Sequence, residues 1–395
     1  MDQETLSPKI STLTVPFHRA AVGAEEAQAV AEAVMSGWLT MGPKTVEFEQ
    51  RFAGYVGAAH AIAVNSCTAG LHLALEAIGV REGDEVLVPT NTFTATAEVI
   101  TYLKARPVLV DIDPLTFNMN VEDASRRISG RCKAIIPVHI AGQPCNMDEI
   151  AEFSKAHSLQ VVEDAAHALP ASYRGRSIGS ISQVTAFSFY ATKTLTTGDG
   201  GMITTDDEAL AGRFRLMRLH GIGRDAWKRY TSEGSWFYEV LEAGYKYNLT
   251  DIQAALGLIQ LQKCDAMAQR RREIAECYSR EFRQSELLEV PHEMPDRESA
   301  WHLYILRLAA GRLTIDRNEF VDRLRSCGVG TSVHFIPLHL HPYYQKTLGC
   351  RIGDFPISEE QYSRYFSLPI FPGMSEEEVG FVIDQVLKVA RQAAR

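Results

Sequence analysis

The chain has 395 residues, 46% apolar and 23% charged, with a formal net charge of −9. That length supports one large unit and one smaller unit, each with its own core. The negative balance argues against a general nucleic-acid or anionic-membrane binder, both of which need a positive field. No apolar run approaches the roughly 20 residues of a membrane span. Met1-Asp2-Gln3-Glu4 lacks the basic start and apolar core of a secretory signal, so a cytoplasmic location is expected. Seven scattered cysteines with no Cys-x-x-Cys pair read as free thiols rather than a disulfide frame or a zinc site.

In chain order, short Val- and Ile-rich runs at 60–66, 85–90, 107–112, 134–139, 159–164, 185–190 and 201–205 predict seven strands. Helical-period segments such as 69–78 and 147–156 separate several of them. Continuous apolar strands alternating with helices predict an α/β fold with a mostly parallel sheet covered on both faces. From about Asp251 a long helical stretch, 252–285, leads past Pro291 and Pro295 into a second unit. That unit has a strand-like 303–308, a helix at 317–327, an extended 330–335 and a closing helix at 375–391. The expected division is a large unit at 1–260 and a smaller C-terminal α/β unit at 261–395, entered through the connecting helix.

Ligands of such sheets gather beyond the carboxyl ends of the strands. Ser66-Cys67-Thr68 starts a helix whose first N–H groups can receive an anion. Phe93 follows the second strand and can stack on a planar ring. Asp164 ends the fifth run and is placed to pair with a protonated ring nitrogen, with His167 on the same side. Lys193 follows Phe-Ser-Phe-Tyr-Ala-Thr and precedes Gly198-Asp199-Gly200-Gly201. A lysine partly withdrawn from water loses the stabilisation of its charge and becomes able to do Schiff-base chemistry. Ser188 can add a hydroxyl to the phosphate. Taken singly, each has an ordinary structural explanation as a cap or as packing. Together they are the equipment for pyridoxal 5′-phosphate.

The chain resembles the DegT/DnrJ/StrS sugar aminotransferases of the fold-type I pyridoxal phosphate enzymes, from about Pro16 to Val389. The resemblance rests on 36–43 (SGWLTMGP), 83–86 (GDEV), 163–167 (EDAAH), the Lys193 segment, 244–251 (GYKYNLTD), 301–304 (WHLY) and 367–369 (SLP). It implies that Lys193 bonds the cofactor, Asp164 meets its ring nitrogen, His167 lies near its phenolic oxygen and Phe93 stacks on it. It also implies phosphate contacts from Cys67, Thr68 and Ser188. A further contact from Asn248 of the other subunit would make the enzyme a homodimer with shared sites. Cys67 and Pro170 depart from glycines common in relatives.

By the same resemblance, pyridoxamine phosphate carries the amino group from glutamate to a nucleotide-linked keto sugar. The resemblance implies amination at C4 of a UDP- or dTDP-4-keto-6-deoxy sugar, on the way to cell-surface glycans such as lipopolysaccharide O-antigen. Thr40, His334, Arg224 and Lys246 are candidate substrate contacts, with Lys228 and Arg229 as further basic residues. No metal is expected, although His334, His339 and His341 cluster in sequence. Amination at C3 or of a keto-cyclitol, and a non-catalytic regulatory role, remain as alternatives. Lys193 counts against a related dehydratase, in which histidine replaces the lysine.

Overall fold

The computed structural model describes residues 13–223 and 237–395. Two helices, α1 (Ala24–Met35) and α2 (Pro43–Val56), lead into an alternating series. This runs β1 (His60–Val64), α3 (Cys67–Ala77), β2 (Glu85–Pro89), α4 (Ala95–Tyr102), β3 (Arg106–Val110), α5 (Val121–Arg127), β4 (Cys132–Ile135), α6 (Met147–Ala156) and β5 (Gln160–Asp164). The short β6 (Ser172–Tyr173) and β7 (Arg176–Ser177) follow, then β8 (Val184–Ser188), β9 (Gly201–Thr205) and α7 (Glu208–Met217). Helix α8 (Asp251–Phe282) runs 32 residues, opened by a capping box between Thr250 and Gln253.

The seven-stranded sheet has the order β1-β9-β8-β5-β4-β2-β3. Neighbours from β8 to β3 are parallel, whereas β9 runs antiparallel to both β1 and β8. Alternate strand residues enter opposite cores, as the period of two requires. Ala61, Ala63 and Phe187 pack with Phe48, Phe52 and Leu258 on one side. Ile62, Val64 and Ala186 pack with Leu71, Val99 and Phe214 on the other. Burial on both faces is why these strands read as unbroken apolar runs.

Beyond α8 come β10 (Leu288–Glu289), β11 (Arg297–Glu298), β12 (Tyr304–Leu308), α9 (Arg317–Ser326), α10 (Pro342–Leu348), α11 (Pro356–Arg364), β13 (Tyr365–Leu368) and α12 (Glu376–Gln392). Strands β10, β12 and β13 form an antiparallel sheet. It shares a third core with α9, α12 and the C-terminal half of α8. The 330–335 stretch, expected as extended chain, makes one isolated bridge, Ser332 to Ser367, and belongs to no strand.

Candidate active site

Four segments that leave the large sheet, and the one that enters β9, converge with segments of the C-terminal unit on a cavity of about 600 Å³. Cys67 and Thr68 line it from the first turn of α3, whose start lies two residues before the sequence pattern placed it. The Ser66 hydroxyl caps the N–H of Ala69 at 3.1 Å, and the preceding N–H groups have no partner within the helix. A Cβ on Gly201 would stand 2.7 Å from the Cys67 nitrogen and 2.7 Å from the Ser66 carbonyl carbon. The glycine at the end of the Gly-Asp-Gly-Gly run therefore lets β9 pack directly beneath this cradle.

Asp164 ends β5, and its neighbour across the sheet is Ala186 of β8. A relay of hydroxyls holds the carboxylate. Thr92 and Thr96 are 2.7 Å apart, and Thr96 donates to Oδ2 at 2.7 Å. The Ala166 N–H donates to Oδ1 at 3.1 Å. Burial pushes the Asp164 carboxyl above its ordinary range, although Thr96, Ala166 and the Lys193 charge pull it back. A protonated ring nitrogen placed against it would complete that compensation.

Lys193 stands in a turn after β8, its N–H bonded to the Tyr190 carbonyl at 2.9 Å. Burial is the main cause that lowers its ammonium from 10.5 to about 8; Cys67 and Asp164 oppose the shift and Arg271 adds to it. Ser188 closes β8 and lines the cavity, as does Phe93, which is 57% exposed on the rim and lies 5.8 Å from the Phe335 ring. The His167 Nδ1 accepts the Ala141 N–H at 3.3 Å, which puts the ring proton on Nε2. His334 lines the opposite wall, its Nδ1 2.9 Å from the Ser367 hydroxyl; burial and Lys193 lower it to about 4.

Of the residues singled out in the sequence, Cys67, Thr68, Phe93, Asp164, His167, Ser188, Lys193 and His334 come together here. Three described candidates lie outside this chain's cavity. Asn248 bridges to Val64, and its amide donates to the Leu249 carbonyl at 3.1 Å. Lys246, on the same segment, is exposed, as is Thr40, whose carbonyl accepts the Asp251 N–H at 3.1 Å. Arg224, Lys228 and Arg229 lie outside the described residues. His339 is tied to Thr90 at 2.7 Å and Glu359 at 3.0 Å, and among the described residues no group of three or more His, Cys, Asp or Glu is arranged for a metal.

Sequence reasoning gave no role to Phe17, His18, His302 and Phe335, which also line the cavity. The Trp301-His302 pair was visible as a motif, but nothing local shows that it folds back onto Lys193. An anion cradle, an aromatic rim, a buried carboxylate and a lowered amine in one cavity fit pyridoxal phosphate.

Comparison with known proteins agrees. Residues 20–387 match the model of the DegT/DnrJ/EryC1/StrS aminotransferase family. The spore coat polysaccharide biosynthesis protein SpsC of Bacillus subtilis is 48% identical over 380 residues, covering 96% of this chain and 98% of SpsC. Spr1654 of Streptococcus pneumoniae, solved in PLP and PMP forms, superposes with a TM-score of 0.89 at 34% identity. The alignment with its PLP form covers 96% of this chain and 99% of that one. Helicobacter pylori PseC, an aminotransferase involved in the biosynthesis of pseudoaminic acid, gives a TM-score of 0.90 at 27% identity, covering 96% and 100%. The chain belongs to the DegT/DnrJ/EryC1/StrS family and is a pyridoxal-phosphate-dependent sugar aminotransferase.

Proposed function

We propose that the enzyme transfers the amino group of L-glutamate to a nucleotide-linked keto sugar, at C4 of a UDP- or dTDP-4-keto-6-deoxy sugar, with Lys193 as the proton-transfer group. The observation that carries this reading is the one cavity lined by Lys193, Asp164 and the first turn of α3. Bound pyridoxal phosphate supplies the electron sink for removal of a proton next to nitrogen. Asp164 would hold the ring nitrogen, the N–H groups of Cys67 and Thr68 with Ser188 would hold the phosphate, and Phe93 would cover the ring face. His167, protonated on Nε2, would donate to the phenolic oxygen.

Lys193 does the proton work. With its ammonium at about 8, roughly a tenth of the free side chain is neutral at pH 7. An unperturbed lysine would offer a few hundred-fold less base. The same amine returns the proton to the sugar carbon that becomes amine-bearing. His334 on the facing wall is the expected sugar contact. The sugar reading draws on SpsC, described as a spore coat polysaccharide biosynthesis protein, and on Spr1654, described as a sugar aminotransferase.

We further propose a homodimer in which Asn248, with Lys246 beside it, serves the partner's cavity. In support, the segment lies outside its own cavity and follows the exposed Val240 and Leu241, 61% and 59% accessible. We also propose that the chain divides within α8, into 1–260 and 261–395. Leu258, Leu261 and Cys264 of that helix pack in the large sheet's core, and Ile274 and Ala275 in the C-terminal one.

Purified enzyme should show a visible cofactor band that glutamate bleaches and one nucleotide-linked 4-keto sugar restores. Lys193→Ala should abolish the cycle. Restoration only by a 3-keto sugar or a keto-cyclitol would replace the C4 assignment. Full cycling by Lys193→Ala would remove the lysine from its role.

A further inference from the structure

His302 lies between β11 and β12, 6% exposed, with its Nε2 3.4 Å from the Lys193 Nζ. Its ring lies tilted by 43° against His167 at 4.4 Å between centroids, and its Nδ1 is buried with no hydrogen-bond partner among the described residues. Lys193 is therefore the polar partner that the imidazole is aimed at. The backbone that sets this aim is itself held. Arg271, buried in α8, directs one guanidinium nitrogen at the carbonyls of Trp301 (3.4 Å), His302 (3.3 Å) and Ile370 (2.7 Å). A buried guanidinium spent on backbone carbonyls is a rigid mount for the residue it fixes.

We propose that His302 is a positioning residue for the reaction, holding the free Lys193 amine in its proton-transfer orientation through Nε2. The inference rests on the reading of Lys193 as the proton-transfer group. The chemistry of imidazole suits the task. An ammonium can only donate, and the Nε2 lone pair accepts from it. A neutral amine can donate or accept, and a neutral imidazole matches either by choice of tautomer. The contact thus survives each change in the lysine's protonation. A carboxylate in the same place would hold the amine charged, and an apolar group would leave it unaimed.

Protonation of His302 itself is opposed by burial and by the charges of Lys193 and Arg271, with His167 and His334 adding to the effect, so the ring stays neutral. The other groups coupled to the Lys193 amine are Asp164 and Cys67, which favour its charge, and Arg271, which opposes it.

The test compares His302→Phe, His302→Gln and His302→Asn in the full-length holoenzyme. A glutamine amide reaches the position of the imidazole Nε2, whereas an asparagine amide reaches only that of Nδ1. Lys193 is free when the cofactor is in its pyridoxamine form. Its protonation midpoint can then be read from the pH dependence of acylation at that residue, followed by mass spectrometry. Loss of a neutral acceptor should lower the midpoint by about half a unit or more in His302→Phe. In the same variant kcat should fall by about 10- to 100-fold, with KM for glutamate within about twofold.

His302→Gln should restore the midpoint to within about 0.2 unit and kcat to within about threefold, and His302→Asn should restore neither. A wild-type midpoint and kcat in His302→Phe would overturn the proposal. So would equal impairment of the two amide variants, the mark of a purely packing role. If His302→Phe does not fold, the glutamine-to-asparagine contrast decides alone. The labelling midpoint reports on Lys193 whatever that residue does in turnover, so an active Lys193→Ala enzyme would fail the functional reading without deciding this one.

Discussion

Replacing Asp251 with asparagine tests whether one carboxylate joins the two long helices of the large unit. Helix α2 begins at Gly42-Pro43, and a glycine has no side chain with which to cap it. Asp251, at the first position of α8, supplies the cap from 209 residues away. Its Oδ1 accepts the N–H of Gly42 at 2.7 Å, the N–H of Thr45 at 2.9 Å and the Thr45 hydroxyl at 2.7 Å. Its Oδ2 accepts the N–H of Lys44 at 3.0 Å. An asparagine can keep the first three through its carbonyl but must turn an N–H₂ group towards Lys44.

The loss is one charge-assisted bond, about 1.5–3 kcal/mol. Removing negative charge from the α2 N-terminus adds about 0.5–1 kcal/mol. The expected destabilisation is about 2–4 kcal/mol, read as a lower midpoint in urea unfolding followed by circular dichroism. Asp251→Ala should be worse, because the buried N–H groups of Gly42 and Thr45 lose their acceptor. An Asp251→Asn midpoint indistinguishable from wild type would refute the reasoning.

Gly201→Ala should impair cofactor retention as well as stability, since the added methyl meets the backbone of Ser66 and Cys67 under the cradle; dialysis followed by the cofactor absorbance measures it. Mixing Lys193→Ala and Asn248→Ala subunits should recover up to about a quarter of wild-type activity if the sites are shared, because each mixed dimer contains one intact site. No recovery after subunit exchange would place both residues in one chain's site. The rate of the glutamate half-reaction should fall about tenfold per unit as pH drops below about 8, where the free lysine amine becomes charged. The same lowered ammonium has a linked effect on stability. Between about 8 and 10.5 the unfolded chain binds more protons at Lys193, so its contribution to stability rises with pH across that window. Lys193→Met should flatten that rise in urea titrations.

The strands of the large sheet were legible because burial on both faces leaves continuous apolar runs, and the site residues because such sheets present their ends to ligands. The antiparallel β9 was not legible: Gly-Met-Ile-Thr-Thr is equally apolar in either direction, and only its pairing with β1 and β8 decides. Residues 330–335 read as extended chain, but nothing local shows that the segment brings His334 and Phe335 to the cavity.

By itself, the sequence determined the alternating α/β order and the position of Lys193, Asp164 and the first turn of α3 at strand ends. Each of these is written in a few neighbouring residues, through hydrophobic period, helix-start signals or residue type. The tertiary structure alone decided that His302 meets Lys193 across 109 residues, that Asp251 caps α2 across 209, and that Thr40, Lys246 and Asn248 stand outside their own chain's cavity. Contacts at such separations arise from how the packed units fit together, and local patterns carry no record of that fit.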